Sequence, residues 1–215
     1  MPSFRTISLF FVASLASLSF TSAAPQYTPP TDVHYEGVPS GCDAGCMAKS
    51  YPVPVILADI KAKIAPKLEE IHALAEVKVD TIKPIVADIT VVIDDAAAKV
   101  KAYVDAKVDL KAALAANAEG GAAVTVDVLV RTFISLVASI VVCIKAALKV
   151  AVKGELDLVI KIFATLCVRL AFLLQVCCQL VVGLAVSLAI QLTAFIALCV
   201  ELGISASVDF LKVAA

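Results

Sequence analysis

The sequence predicts an all-α protein: a signal peptide and a Pro-rich tail, then long amphipathic helices with 11-residue periodicity, then an apolar helical hairpin or bundle. Three observations carry this. Residues 47–119 hold no glycine, and apolar residues return there every 11 positions, the step of three helical turns. Residues 170–200 are 31 in a row without a formal charge. Within that run Gln175, Gln179, Gly183, Ser187 and Gln191 recur every four residues, a polar line along one side of a helix.

Residues 1–23 read as a secretory signal. Arg5 charges the first segment, residues 7–20 are largely apolar, and Thr21-Ser22-Ala23 offers small residues for cleavage after Ala23. Residues 24–54 form a tail with six of the nine prolines, which deny it helix interior and ladder bonds. Gly41 to Cys46 is its one expected local structure, with Cys42 and Cys46 available as a knot or a staple.

Residues 55–119 are an amphipathic helical segment. Ile60, Ile71, Ile82, Ile93 and Val104 form one apolar line, and Ile64, Ala75, Val86, Ala97 and Val108 a second. Eleven residues in three turns keep such a line almost straight. Mixed Lys, Asp and Glu cover the opposite side, as on a solvated face. The first line is read as an interfacial apolar line that lies on lipid or an oil–water boundary, against the plainer reading that it packs on the rest of the chain. Pro66 and Pro84 are expected to kink or break the segment.

Glu119-Gly120-Gly121 ends that half, and residues 122–215 form the hydrophobic helical segment. One helix is expected over 124–152, a turn at Lys153-Gly154-Glu155, a second helix over 156–202 closed by Gly203, and a short amphipathic end. A turn at Glu155 makes the two helices an antiparallel hairpin. Cys143 and Cys167 lie 12 residues either side of it, both ~18 Å from the turn. A Cys143–Cys167 disulfide is therefore expected. Cys177 and Cys178 point ~100° apart on one helix, so their expected partners are Cys42 and Cys46. That leaves Cys199 as the odd thiol.

Chemistry is scarce. Glu69, His72 and Glu76 have the spacing of half a carboxylate metal site, but the only other histidine is His34 in the tail, so the cluster is read as a solvated charge run. No nucleophile–base set and no Gly-rich phosphate loop occurs. The expectation is no enzyme, no cofactor and no metal. Without Arg5 the chain has 17 basic against 19 acidic residues, unclustered, which argues against a nucleic-acid partner. Lys153, Lys161 and Arg169 are read either as a lipid-headgroup patch or as ordinary polar points on the wet side of a helix.

The whole layout of signal, Pro/Gly/Cys tail, polar helical half and apolar C-terminal half resembles a kind of small secreted structural protein of mushroom-forming fungi. Those proteins belong to the cell wall and extracellular matrix and are associated with aerial hyphae and attachment to hydrophobic surfaces. The seven cysteines contain one Cys-Cys pair and do not follow the hydrophobin pattern. The resemblance implies a secreted, non-enzymatic amphiphile. Its partners would be a hydrophobic interface, lipid or wall matrix, with self-association as a further option. Two alternatives stand beside it: an integral membrane protein spanning through its C-terminal helices, and a helical carrier whose Val/Ala-rich interior leaves room for an apolar ligand.

Overall fold

Helix after helix follows from the apolar spacing. The computed structural model describes residues 43–115, 123–181 and 183–204. The expected signal peptide, most of the expected tail, the expected helix end at Glu119-Gly120-Gly121 and most of the expected amphipathic end lie outside them. The order is α1 (Ala44–Ser50), α2 (Val53–His72), α3 (Val79–Asp105), α4 (Leu110–Ala113), α5 (Val126–Lys149), α6 (Leu156–Leu180), α7 (Leu184–Gln191) and α8 (Thr193–Glu201). Among the described residues there is no strand, only the isolated bridges Val77–Ala151 and Ala115–Ala123. The fold is all-α, as the periodicity predicts.

Local chemistry sets the helix ends. Asp43 Oδ1 accepts the Cys46 N–H at 2.8 Å and starts α1. Pro52 and Pro54 sit at the start of α2, where an N–H would lack an intrahelical partner anyway. Neither Pro66 nor Pro84 breaks its helix; each lies on the exposed side of α2 or α3, where water can satisfy the freed carbonyl. The break falls between them, at residues 73–78. At the end of α3 the Val108 N–H reaches back to the Tyr103 carbonyl at 3.0 Å, which forces Lys107 to φ 52°. Gly203 makes the same closure after α8 at φ 74°, with Ile204 N–H on Cys199 O at 2.8 Å.

The expected single helix over 156–202 is instead three. α6 ends at Leu180, Gly183 takes φ 84°, and a further break at Leu192 bends α8 by 70° from α7. A straight helix of that length would project beyond the bundle. The broken one folds back, burying Leu184, Leu188, Leu192, Phe195, Leu198 and Leu202.

Two helical hairpins, α2–α3 and α5–α6, are stitched turn to turn. Val77 N–H donates to Val150 O and Val152 N–H to Val77 O, both at 3.0 Å. Glu155 Oε2 accepts the Val79 N–H at 2.6 Å, so the second hairpin caps a helix of the first. From that shared end α2 runs beside α5 and α3 beside α6, each pair parallel. Lys61 Nζ to Ser135 Oγ (3.0 Å) and Cys143 Sγ to Leu68 O (3.8 Å) mark the first pair. Asp94 beside Arg169 marks the second. The most extensive packing is α3 on α6, followed by α2 on α3 and α2 on α5; α5 and α6 touch far less. α7 and α8 lie mainly against α5, and α1 against α3 and α4.

The polar and apolar halves therefore interleave around one core. Ile60, Ile71, Ile82 and Ile93 are buried within it, as are Ile64, Val86 and Ala97. The expected interfacial line is thus an interior line in the closed molecule. Val104 is half-buried. Phe133, Phe163, Phe195 and Tyr103 are the largest fully buried side chains of an otherwise aliphatic core. No polar or charged residue is buried among the described ones. Such a core gains about 25 cal/mol for each Å² of apolar surface removed from water.

Candidate functional site

Charge divides the surface. The α2–α3 side carries ion pairs: Lys63–Asp59 at 2.9 Å, Lys67–Asp88 at 2.8 Å between the two helices, Lys99–Asp95 at 2.7 Å and Lys101–Asp105 at 2.6 Å. Exposed pairs of this kind contribute roughly 0–1 kcal/mol each. Their larger effect is to keep that side in water.

The α7–α8 side has no formally charged residue from Leu184 to Val200. Its outward residues are apolar or neutral. Val186 is 49% exposed, Ile190 69% and Val200 54%. Val186 and Ile190, four apart on α7, are surface neighbours. Ala194 and Ala197 are exposed on α8, with Glu201 at its end. The polar stripe runs onto this side: Gln175, Gln179, Gly183 and Gln191 are exposed and Ser187 half-buried. It is a wet line rather than a contact between helices. Val142 on α5 and Leu158 on α6 are also exposed, but Lys145, Arg131 and Lys161 share their surfaces.

Of the two readings of Lys153, Lys161 and Arg169, a joint headgroup patch finds no support in their placement. Arg169 turns toward Asp94, with Nε 3.8 Å from Oδ1. Burial raises the Asp94 carboxyl above its usual range, and Arg169 pulls it part of the way back. Asp94 Oδ1 accepts no hydrogen bond. Lys161 instead joins Lys83 beside a shallow groove between α3 and α6, lined also by Val79, Leu158, Ile162 and Thr165. No metal-binding group of His, Cys, Asp and Glu occurs among the described residues; Glu69, His72 and Glu76 are exposed.

The cysteine assignments need correction. Cys143, Cys167, Cys177, Cys178 and Cys199 are all thiols. The Cys143–Cys167 bond is absent because the hairpin arms do not face one another closely. Cys143 points at α2, donating to Leu68 O, while the Cys167 thiol is fully buried and is pushed up by Cys199 and by burial. Cys177 and Cys178 are free, so no staple joins them to Cys46, nor to Cys42, whose place lies outside the described residues. Cys199, expected as the one odd thiol, is free, but so are the other four. Burial pushes the Cys143 thiol up to about 11 and Cys178 up to about 12, so both stay protonated near neutrality.

Sequence spacing alone misses the Asp94–Arg169 pairing, whose signal was a lone cation at the edge of the uncharged run. No known protein family, curated protein or solved structure matches the chain.

Proposed function

We propose that the protein is a secreted, non-enzymatic helical amphiphile that attaches to hydrophobic interfaces through the outer face of α7 and α8. The observation that carries this reading is that face: Val186, Ile190 and Val200 exposed on a surface without charge, on a molecule whose α2–α3 side is ion-paired. Water is displaced from apolar side chains at an air, wax or lipid boundary, and each such chain contributes about 1.5–3 kcal/mol when fully covered. Adsorption by α7–α8 is the first step. Opening of the bundle then brings the Ile60–Ile93 line to the same boundary, as in amphipathic helices that lie in an interface. Cell wall or extracellular matrix is the setting, and α7–α8 faces of neighbouring molecules can associate.

Purified mature protein in a pendant drop tests this reading, with circular dichroism of the film on a hydrophobic support. A fall in surface tension with helical content retained is expected. A surface-inert protein would refute it.

A second reading has its own observation. α5 and α6, at 24 and 25 residues, are long and apolar enough to cross a membrane, and α7 with α8 would make a third, bent span. Against it, Arg131, Lys145, Lys161, Gln175 and Gln179 face outward. In lipid, a cation near the bilayer centre costs about 2.5–3.5 kcal/mol on insertion scales. Alkaline carbonate extraction separates the two: release supports the peripheral amphiphile, and retention in the pellet supports insertion.

A further inference from the structure

Residues 53–105 hold seven lysines, and Lys83 differs from the rest. Lys63, Lys67, Lys78, Lys99 and Lys101 are ion-paired and Lys61 donates to Ser135, whereas Lys83 Nζ has neither kind of partner. Lys161 Nζ on α6 has none either. Asp80 and Asp157, one turn earlier on each helix, form no ion pair with them, so neither ammonium group is already neutralised. Both lysines line the groove between α3 and α6, the two helices that pack most extensively. Because these helices run parallel from their stitched ends, the groove has a direction. Val79 and Leu158 lie in the first turns, at the stitched end; Lys83, Lys161, Ile162 and Thr165 lie one to two turns further on. Leu158 is 51% exposed, and Val79 and Ile162 are half-buried.

We propose that this groove binds the head of a single-chain anionic amphiphile, a long-chain fatty-acid carboxylate. The carboxylate sits between Lys83 and Lys161 and accepts hydrogen bonds from their ammonium groups. Lysine stems are long and flexible, so both heads reach one anion without a shift of the helices. The first methylenes cover Val79, Leu158 and Ile162 and displace water from them. Glu155 sets the orientation. Its Oε2 holds the Val79 N–H at 2.6 Å, so the stitched end already carries a carboxylate and disfavours a second one. The head therefore takes the lysine end. The groove measures about 290 Å³, at the lower end for ligand pockets. It takes the head and the first carbons and leaves the rest of the chain along the surface. This site lies on other helices than the α7–α8 face and depends on charge, which that face lacks, so it stands apart from the interfacial reading.

The test is calorimetric titration of the purified protein with dodecanoate, below its micelle-forming concentration, at neutral pH and low salt. One saturable site per chain is expected, weakening as salt is added. Lys83→Gln/Lys161→Gln should bind roughly 10-fold more weakly or worse. Both positions are exposed, and circular dichroism should show unchanged helicity. Lys145→Gln/Lys149→Gln, matched in charge but on α5, should bind as wild type does. Butanoate, which has the head without the tail, should bind far more weakly. Sedimentation with vesicles of anionic phospholipid should not depend on Lys83 and Lys161. Absence of dodecanoate binding, or equal binding by the folded Lys83→Gln/Lys161→Gln variant, would overturn the proposal. Equal affinity for butanoate would make the groove a bare anion site and overturn it too. So would vesicle binding lost in that variant while free dodecanoate is ignored, which would assign the lysines to a membrane headgroup.

Discussion

Tyr103 is fully buried, yet its hydroxyl has a partner: it donates to the Tyr51 carbonyl at 2.9 Å and so ties the entry of α2 to the end of α3. Tyr103→Phe keeps the ring and removes the bond, at an expected cost of about 0.5–1.5 kcal/mol in urea unfolding. The Tyr51 ring also lies under Lys99 Nζ, 5.5 Å from its centroid. Asp94 is the opposite case, a carboxylate that burial disfavours more than Arg169 compensates. Its folded pKa lies above its unfolded value of about 3.9. Its contribution is therefore fully present below that unfolded value and is lost as pH rises through the folded one. Asp94→Asn stays neutral throughout, so it should be more stable than the parent near neutral pH, with the gap closing on acidification. Urea midpoints at both pH values check this; a variant less stable at neutrality would mean that the ion pair outweighs burial.

Helices were legible where one feature repeated over many turns. The 11-residue step placed the buried side of α2 and α3 correctly, because burial and periodicity coincide there. Pro66 and Pro84 misled as breakers because their effect depends on which side faces water, a tertiary property. The third apolar helix misled in the other direction. Nothing but Gly183 interrupts 170–200, and Leu192 breaks the chain with an ordinary apolar residue. Two substitutions probe the element ends. Lys107→Gly removes a side chain from a left-handed position and should raise stability by about 1 kcal/mol by urea unfolding. Glu155→Ala withdraws the acceptor from Val79 N–H and should cost about 1 kcal/mol, whereas Glu155→Gln retains most of it. An equal loss in both would assign the effect to charge rather than to the hydrogen bond.

At the scale of the whole molecule, the polarity split that dominates the sequence does not produce two separate halves. The α2–α3 and α5–α6 hairpins supply most of the core, α7 and α8 add to it, and what remains outside is an ion-paired side and an uncharged one. The candidate face was legible as a charge-free run. Its outward residues, Val186, Ile190 and Val200, were not, because they depend on how α7 and α8 fold back. Opening at a surface has its own reporters, since Cys143 and Cys177 are buried thiols. Both should resist alkylation in solution and react in the adsorbed film; equal protection in both states would mean that the bundle adsorbs closed. The most direct test of the interfacial claim compares wild type with Val186→Lys/Ile190→Lys in pendant-drop tensiometry. Both positions are exposed, so the double variant should fold with unchanged helicity. Loss of each apolar contact of about 1.5 kcal/mol or more predicts adsorption weakened at least ~100-fold. Identical surface-pressure isotherms for the two folded proteins would contradict the account.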